Sequence, residues 1–370
     1  MKGLPNLIKA QIRKNGAISF CDYMEMCLYH PRVGYYCTEA IKIGKQGDFY
    51  TSAYLGNVFG ALLAKKMEEL WCSMGKNPFT IVEYGAGTGK LAEDILSVLK
   101  GNTEMYQDLR YCIIERSPAM VDLEKARLLE NSLIEKVEWH TDIAEIKGIR
   151  GCIFSNELLD NFPVHRVIMK EQLMEIFVDN GFKEVLRPAS PALTDYLSAL
   201  NVVLPPGFQT EINLQAISWI KAIAAALTQG CVMTIDYGDV SKEMYRSSRA
   251  EGTLCCFKNH TINEDYYANI GEQDLTTHVN FSALSYWGRK YGLKDVVFTS
   301  QGEFLLHMGF NEWLMKAFSG EKDIALAARK IAMLRHALIM DMGCKFKILI
   351  QEKGMAKESA TAIEGAEFSK

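Results

Sequence analysis

No run among the 370 residues is apolar for long enough to cross a membrane. The opening MKGLPNLIKAQIRKNG lacks the apolar core of a signal peptide and the serine- and arginine-rich make-up of a transit peptide. Basic residues are not in excess: 41 Lys and Arg against 45 Asp and Glu leave a net charge of −4. That balance offers no basic field to nucleic acid or to an anionic membrane. C-x-x-C pairs are missing as well. The ten cysteines are scattered, several in apolar strand-like runs (Cys112, Cys152, Cys231). They read as reduced, mostly buried thiols of the cytoplasm or an equivalent reducing matrix, and they argue against a zinc site. There is no internal repeat. What remains, 48% hydrophobic and 23% charged residues, is the balance of a globular protein.

The informative stretch is FTIVEYGAGTGKLAEDIL (79–96). A short apolar run rich in β-branched residues ends at Glu83, and Gly85, Gly87 and Gly89 follow at alternate positions. Leu91, Ala92, Ile95, Val98 and Leu99 then recur at helical spacing, so the expectation is strand, tight glycine turn, helix. Glycines let the backbone approach a ligand where a Cβ would clash. A dinucleotide fingerprint would be G-x-G-x-x-G. Here the pattern is E-x-G-x-G-x-G, which resembles the first motif of class I S-adenosylmethionine (SAM) methyltransferases, where the loop passes the methionine part of the cofactor.

Helices are expected over 4–15, over 19–28 with Ser19 as cap, and over about 54–72. Further strands are expected at 110–115, 136–139, 151–155, 231–238, 295–300 and 346–353, with helices between them. Strands alternating with helices imply an α/β fold with a parallel, Rossmann-like sheet of seven strands. Residues 164–186 alternate like a β-hairpin turning at Asp179-Asn180-Gly181, a long helix is expected over 211–228, and about forty residues of loop after 238. The expected organisation is an N-terminal helical cap with a cofactor-covering loop (1–76), and a core (77–354) with insertions at about 160–228 and 238–280. The polar, small-residue tail 355–370 is expected to be disordered.

Ligands bind open α/β sheets at the carboxyl ends of the strands, and Glu83, Glu115, Asp142 and Glu157 are expected there. Glu115 would accept the ribose hydroxyls and Asp142 the adenine amino group, a plain helix cap being the competing reading of Asp142. GDFYTS (47–52) lies between a glycine-rich hinge and a helix start, which suits a loop that folds over a ligand. Asp48 and Thr51 are its candidate cofactor contacts. In SNELLDNFPVHRV (155–167), Asp160 is three residues beyond Glu157. If Leu158 begins a helical turn, the two carboxylates share a face and can clamp one guanidinium. Acids stabilising a helix N-terminus are the competing reading. His278, in DLTTHVNF, is a candidate proton acceptor or a wall of the substrate pocket.

The chain resembles the MidA family of SAM-dependent methyltransferases from Ile18 to about Lys353. The resemblance is carried by ISFCDYMEMCLYHPRVGYY, GDFYTS, VEYGAGTGKLAEDIL, IIERSP, SNELLDNFPVHRV, IDYG and GEQDLTTHVNFSAL in that order. It implies a class I methyltransferase core, SAM as cofactor, and a protein arginine as acceptor, since a mitochondrial member methylates a subunit of respiratory complex I and assists its assembly. The chain departs from the family at Ala53-Tyr54, where Pro-Glu is usual, at Ala86 and Thr88 within the glycine loop, and at Asn280, where an acidic residue is usual. Two other readings stand beside an arginine methyltransferase: a methyltransferase for a different acceptor, and a noncatalytic SAM-binding assembly factor.

Overall fold

The strand before the glycine loop forms over Phe79–Tyr84 (β1), and Phe79, Ile81 and Val82 are buried. It lies between parallel neighbours Leu109–Ile114 (β2) and Ile149–Asn156 (β4). Both of its faces are therefore covered, which is why it reads as a continuous apolar run. Val137–His140 (β3) pairs parallel beyond β2, and Leu227–Asp239 (β5) beyond β4. Lys294–Ser300 (β6) and Phe346–Lys353 (β7) complete the path, which runs β6-β7-β5-β4-β1-β2-β3 with β7 antiparallel to both neighbours. This computed structural model describes residues 3–38 and 55–355.

The described residues fall into two compact units. One draws on 55–157, 222–237 and 288–355 and holds the sheet path. Its core gathers Ile81 and Phe154 from the sheet, Leu91 and Ile95 from the Lys90–Leu99 helix, and Phe59 and Leu63 from the Val58–Ser73 helix. That last helix, expected from 54, starts at Val58.

The other unit draws on 3–38, 158–221 and 238–287. The helices Leu4–Asn15 and Phe20–Tyr29 form as expected, and Ser19 caps the second by accepting from the Asp22 N–H. The alternating stretch becomes strands His165–Met169, Leu173–Val178 and Glu184–Pro188. Asp179 Oδ1 accepts from the N–H groups of Gly181 (2.7 Å) and Lys183 (2.9 Å) and so fixes the expected turn. Ile18–Ser19 and Gln209–Ile212 join these strands in a five-stranded sheet. Phe20, Tyr23, Met24 and Leu28 pack over it with Val164, Val178 and Leu254.

Two expectations need correction. The long helix is Leu214–Ala226, because the residues before it are spent on the Gln209–Ile212 strand. The expected forty-residue loop contains a three-stranded sheet with Cys255–Lys258 between Thr261–Asn263 and Asp274–Thr276. Asn259 and His260, at φ 50° and 59°, join the first two strands. Two successive positive φ values mark a tight hairpin turn, but without the Asn-Gly or Asp-Gly that announces one. Among the described residues, no helix is long and apolar enough to cross a membrane.

Candidate active site

β1 delivers the chain to a loop whose three glycines all lie in the left-handed region: Gly85 at φ 66°, Gly87 at 59° and Gly89 at 73°. Residues with a Cβ avoid that region, so the alternation of glycines is a backbone requirement. The Gly85 N–H donates to the Ile114 carbonyl (3.0 Å), which ties the loop to the end of β2. A Cβ on Gly89 would stand 3.2 Å from Glu124 Cα, so the loop also presses on the Pro118–Glu130 helix. From that helix Arg127 Nε donates to the Thr88 carbonyl (2.8 Å) and Nη1 to Glu93 (3.0 Å).

The acidic residues of this edge have different environments. Glu83 is buried inside β1 and accepts from the Tyr111 hydroxyl (2.7 Å); burial pushes its carboxyl up to about 7. Glu115 follows β2 directly. Its N–H donates to the His140 carbonyl (3.0 Å) and its Oε1 accepts from the Ser117 N–H (2.7 Å). Burial raises the Glu115 carboxyl, against the pull of the Ser117 and Arg116 N–H groups. Asp142 is exposed and accepts from the Ala144 N–H (2.8 Å), capping the short turn Ile143–Glu145. Glu157, at φ 54°, leaves β4 in a conformation uncommon for a residue with a Cβ. Its N–H donates to the Ile235 carbonyl (2.9 Å), and its Oε1 accepts from Asn156 Nδ2 (3.0 Å).

Sequence reasoning missed Glu124. It is fully buried and accepts from Trp139 Nε1 (2.7 Å); burial, then the charge of Glu115, pushes it up to about 9. Neither Glu124, at mid-helix, nor Arg127, in the last turn, belongs to a motif that would mark it in the sequence. At the β2–β3 edge, Cys112, Glu138 and His140 bring ligand atoms within 4.8 Å of one another. Arg110 occupies both Glu138 oxygens (3.2 and 2.7 Å) and burial pushes the Cys112 thiol up to about 11, so the trio is built as an ion pair beside a buried thiol.

In the other unit the turn expected to begin at Leu158 is a 3-10 turn over Leu159–Asn161. Glu157 stands outside it, so the shared helical face for Glu157 and Asp160 does not form. Asp160 is 3% exposed and its Oδ2 accepts from Thr276 Oγ1 (2.7 Å). Asp274 lies nearby, accepting at Oδ1 from Asn161 Nδ2 (3.0 Å) and the Leu275 N–H (2.9 Å). Burial, then the charge of Asp160, raises the Asp274 carboxyl well above the carboxylate range. Asp274 was available to the eye as the acid of the DLTTHVNF stretch. The His278 N–H donates to Thr253 Oγ1 (3.0 Å); burial, then the Arg249 charge, pushes its ring down to about 4. Asn280 Oδ1 accepts from the Ala283 N–H (3.2 Å), so it caps the following helix, a task Asn and Asp do equally well. Asp48, Thr51, Ala53 and Tyr54 lie outside the described residues.

A sheet path with one antiparallel strand, and a glycine loop at the carboxyl end of its central strand, defines a nucleoside-cofactor methyltransferase architecture. The model of a family described as putative S-adenosyl-L-methionine-dependent methyltransferases matches residues 62–299, and the chain belongs to that family, to which the MidA resemblance pointed. The chain is similar to the mitochondrial protein arginine methyltransferase NDUFAF7 of Xenopus tropicalis, at 26% identity over 93% of this chain and 84% of that one. It is similar in the same degree to the Caenorhabditis elegans homologue, at 27% identity over 93% and 85%. A crystal structure from Burkholderia thailandensis bound to S-adenosyl-homocysteine superposes with a TM-score of 0.85 at 30% identity, covering 95% of this chain and 92% of that one. The protein is a SAM-dependent methyltransferase. Its residues fit the cofactor: three left-handed glycines leave alternate positions of the loop without a Cβ, and a half-buried carboxylate, Glu115, follows the next strand.

Proposed function

We propose that this protein methylates a guanidinium nitrogen of an arginine in a protein, with a subunit of respiratory complex I as the acceptor and the mitochondrial matrix as the compartment in a eukaryote. The observation that carries this reading is the likeness, over 93% of the chain, to enzymes named as mitochondrial protein arginine methyltransferases.

When bound, SAM supplies an electrophilic methyl group on a sulfonium. The chain's own residues do the rest. Gly85, Gly87 and Gly89 hold the methionine part of the cofactor against bare backbone, Glu115 accepts the ribose hydroxyls, and Asp142 meets the adenine amino group. Glu83 shapes the loop from beneath, through Tyr111. Asp48 and Thr51 supply further cofactor contacts. A free guanidinium is protonated and its charge is spread over three nitrogens. Glu157 accepts from its N–H groups, fixes its orientation and draws positive charge away from the reacting nitrogen. His278, held neutral by burial, walls the acceptor pocket.

The test is Glu157→Gln, assayed with arginine-containing protein acceptors. SAM affinity should stay, while turnover falls by on the order of a hundredfold. Wild-type turnover in that variant overturns the arginine mechanism. Comparing methylated arginines in cells with and without the protein would identify the acceptor.

A further inference from the structure

The Gln209–Ile212 strand lies at the edge of the five-stranded sheet. Its Glu211 pins the loop that leads into the Cys255–Lys258 strand, Oε2 accepting from the Thr253 N–H (2.9 Å) and hydroxyl (3.0 Å). Beside this contact is a cavity of about 450 Å³, walled in part by Gln209, Glu251, Gly252, Thr253, Glu264 and Tyr266. Its size is that of small-ligand sites, which run from roughly 300 to 1,000 Å³. Tyr266 is a fixed wall: its hydroxyl donates to the Leu254 carbonyl (3.3 Å), and its ring lies 4.9 Å from the Arg166 guanidinium. Nothing in the cofactor site uses these residues.

The cavity carries one sign of charge. Glu251 and Glu264 line it, no basic residue does, and among the described residues neither carboxylate has a hydrogen bond or an ion pair. Concave surfaces of one sign focus the field and gather counter-ions. Behind the wall stands a third carboxylate, Glu211, which is 8% exposed. Among the described residues its Oε1 accepts from nothing, and it rests against Gly252, where a Cβ would overlap it. A buried oxygen without a donor is costly, and a cation in the cavity answers it. Cations on adjoining elements are engaged elsewhere. Arg166, opposite Glu211 on the next strand, pairs with Glu184; Lys258 pairs with Glu272 (3.2 Å), and Arg249 donates to the Met244 sulfur (3.3 Å).

The cavity also adjoins the acceptor side. Thr253 Oγ1, in its wall, accepts from the N–H of His278 (3.0 Å), the residue that walls the acceptor pocket in the reading above. We propose that the cavity is a second acceptor subsite, holding a lysine or arginine side chain that flanks the methylated arginine; this rests on the arginine reading. The apolar stem of such a side chain lies along Tyr266, and Glu251 and Glu264 share its charged head. The enzyme then selects acceptors with two basic residues close together, one to be methylated and one to anchor.

The experiment follows the fluorescence anisotropy of labelled peptides on the full chain saturated with S-adenosyl-homocysteine. Each peptide carries one arginine and one lysine, the lysine moved stepwise along the series, with norleucine in its place as the control. At one spacing or more, lysine should tighten binding about tenfold over norleucine, the scale of a charge-assisted hydrogen bond. The gain should shrink as salt rises. Glu251→Gln or Glu264→Gln alone should lower it, and the two together should abolish it while S-adenosyl-homocysteine affinity stays unchanged. A lysine gain at no spacing overturns the proposal, as does a gain that survives in the double variant. Citrulline in place of the arginine separates this from the reading beneath it. A lysine gain that persists while citrulline costs no affinity keeps the subsite and overturns the arginine acceptor.

Discussion

Arg127 reaches from its helix to the carbonyl of Thr88, 2.8 Å away, inside the glycine loop. Its second nitrogen holds Glu93, one turn into the helix that the loop opens. One rigid fork therefore fixes both ends of the segment that turns toward the cofactor. Arg127→Ala should leave the fold intact and weaken SAM binding about tenfold, the scale of one lost charge-assisted hydrogen bond. Arg127→Lys, a point charge without the fork, should fall between. Calorimetric titration with SAM checks it; equal affinities would make Arg127 a surface cation only.

The loop itself gives a sharper outcome. Gly87 sits at φ 59°, which a β-branched side chain does not adopt without strain. Gly87→Val should abolish SAM binding while the far-UV circular dichroism stays that of the wild type. Unchanged affinity would mean that the loop does not approach the cofactor.

The parts of this architecture that periodicity and glycine placement encode were readable in the chain. β1 with its glycine loop, the Lys90–Leu99 helix and the β2, β3 and β4 strands all lie within a few residues of their expected places. The sheet Cys255–Lys258, Thr261–Asn263 and Asp274–Thr276 was not, because strands of three or four residues carry too few side chains to show alternation. Its Asn259-His260 turn lacks glycine. The candidate site divides in the same way. The glycines announce themselves, but burial decides what an acid does, and burial is a tertiary property. Asp142 caps a turn, Glu83 accepts from Tyr111, and Glu124 is invisible until Trp139 is seen against it.

Glu124 yields a prediction about stability. Its folded-state value, about 9, lies far above that of a free glutamate, so the folded protein keeps the proton where the unfolded chain loses it. The contribution is fully present below about pH 4.3 and is lost as pH rises through about 9. Glu124→Gln removes the titration while its side-chain carbonyl still accepts from Trp139. In the absence of cofactor, the variant should match the wild type at pH 4 and exceed it increasingly toward pH 8, by about 3–4 kcal/mol at pH 7. Denaturant unfolding across that range measures it. Parallel curves for the two proteins would show that Glu124 ionises freely.

His278 yields a prediction about how the acceptor's proton leaves. Burial and the Arg249 charge push its ring down to about 4, below the ordinary value near 6.5. For a group depressed in this direction, the neutral form is favoured in the folded state, so the linked stability is present above about pH 6.5 and is lost as pH falls toward 4. A ring that weakly basic is a poor proton acceptor near neutrality, where general bases work best with values close to the ambient pH. On the proposed arginine mechanism, the extra proton of the methylated guanidinium is therefore expected to pass to water, with His278 contributing packing. The log of turnover against pH should show no limb assignable to His278 between pH 5.5 and 8. His278→Ala should lower turnover less than about tenfold, against on the order of a hundredfold for Glu157→Gln. A wild-type profile with a unit-slope limb near pH 6.5 that vanishes in His278→Ala would reverse the assignment, making the histidine the base and its burial incomplete in the working enzyme.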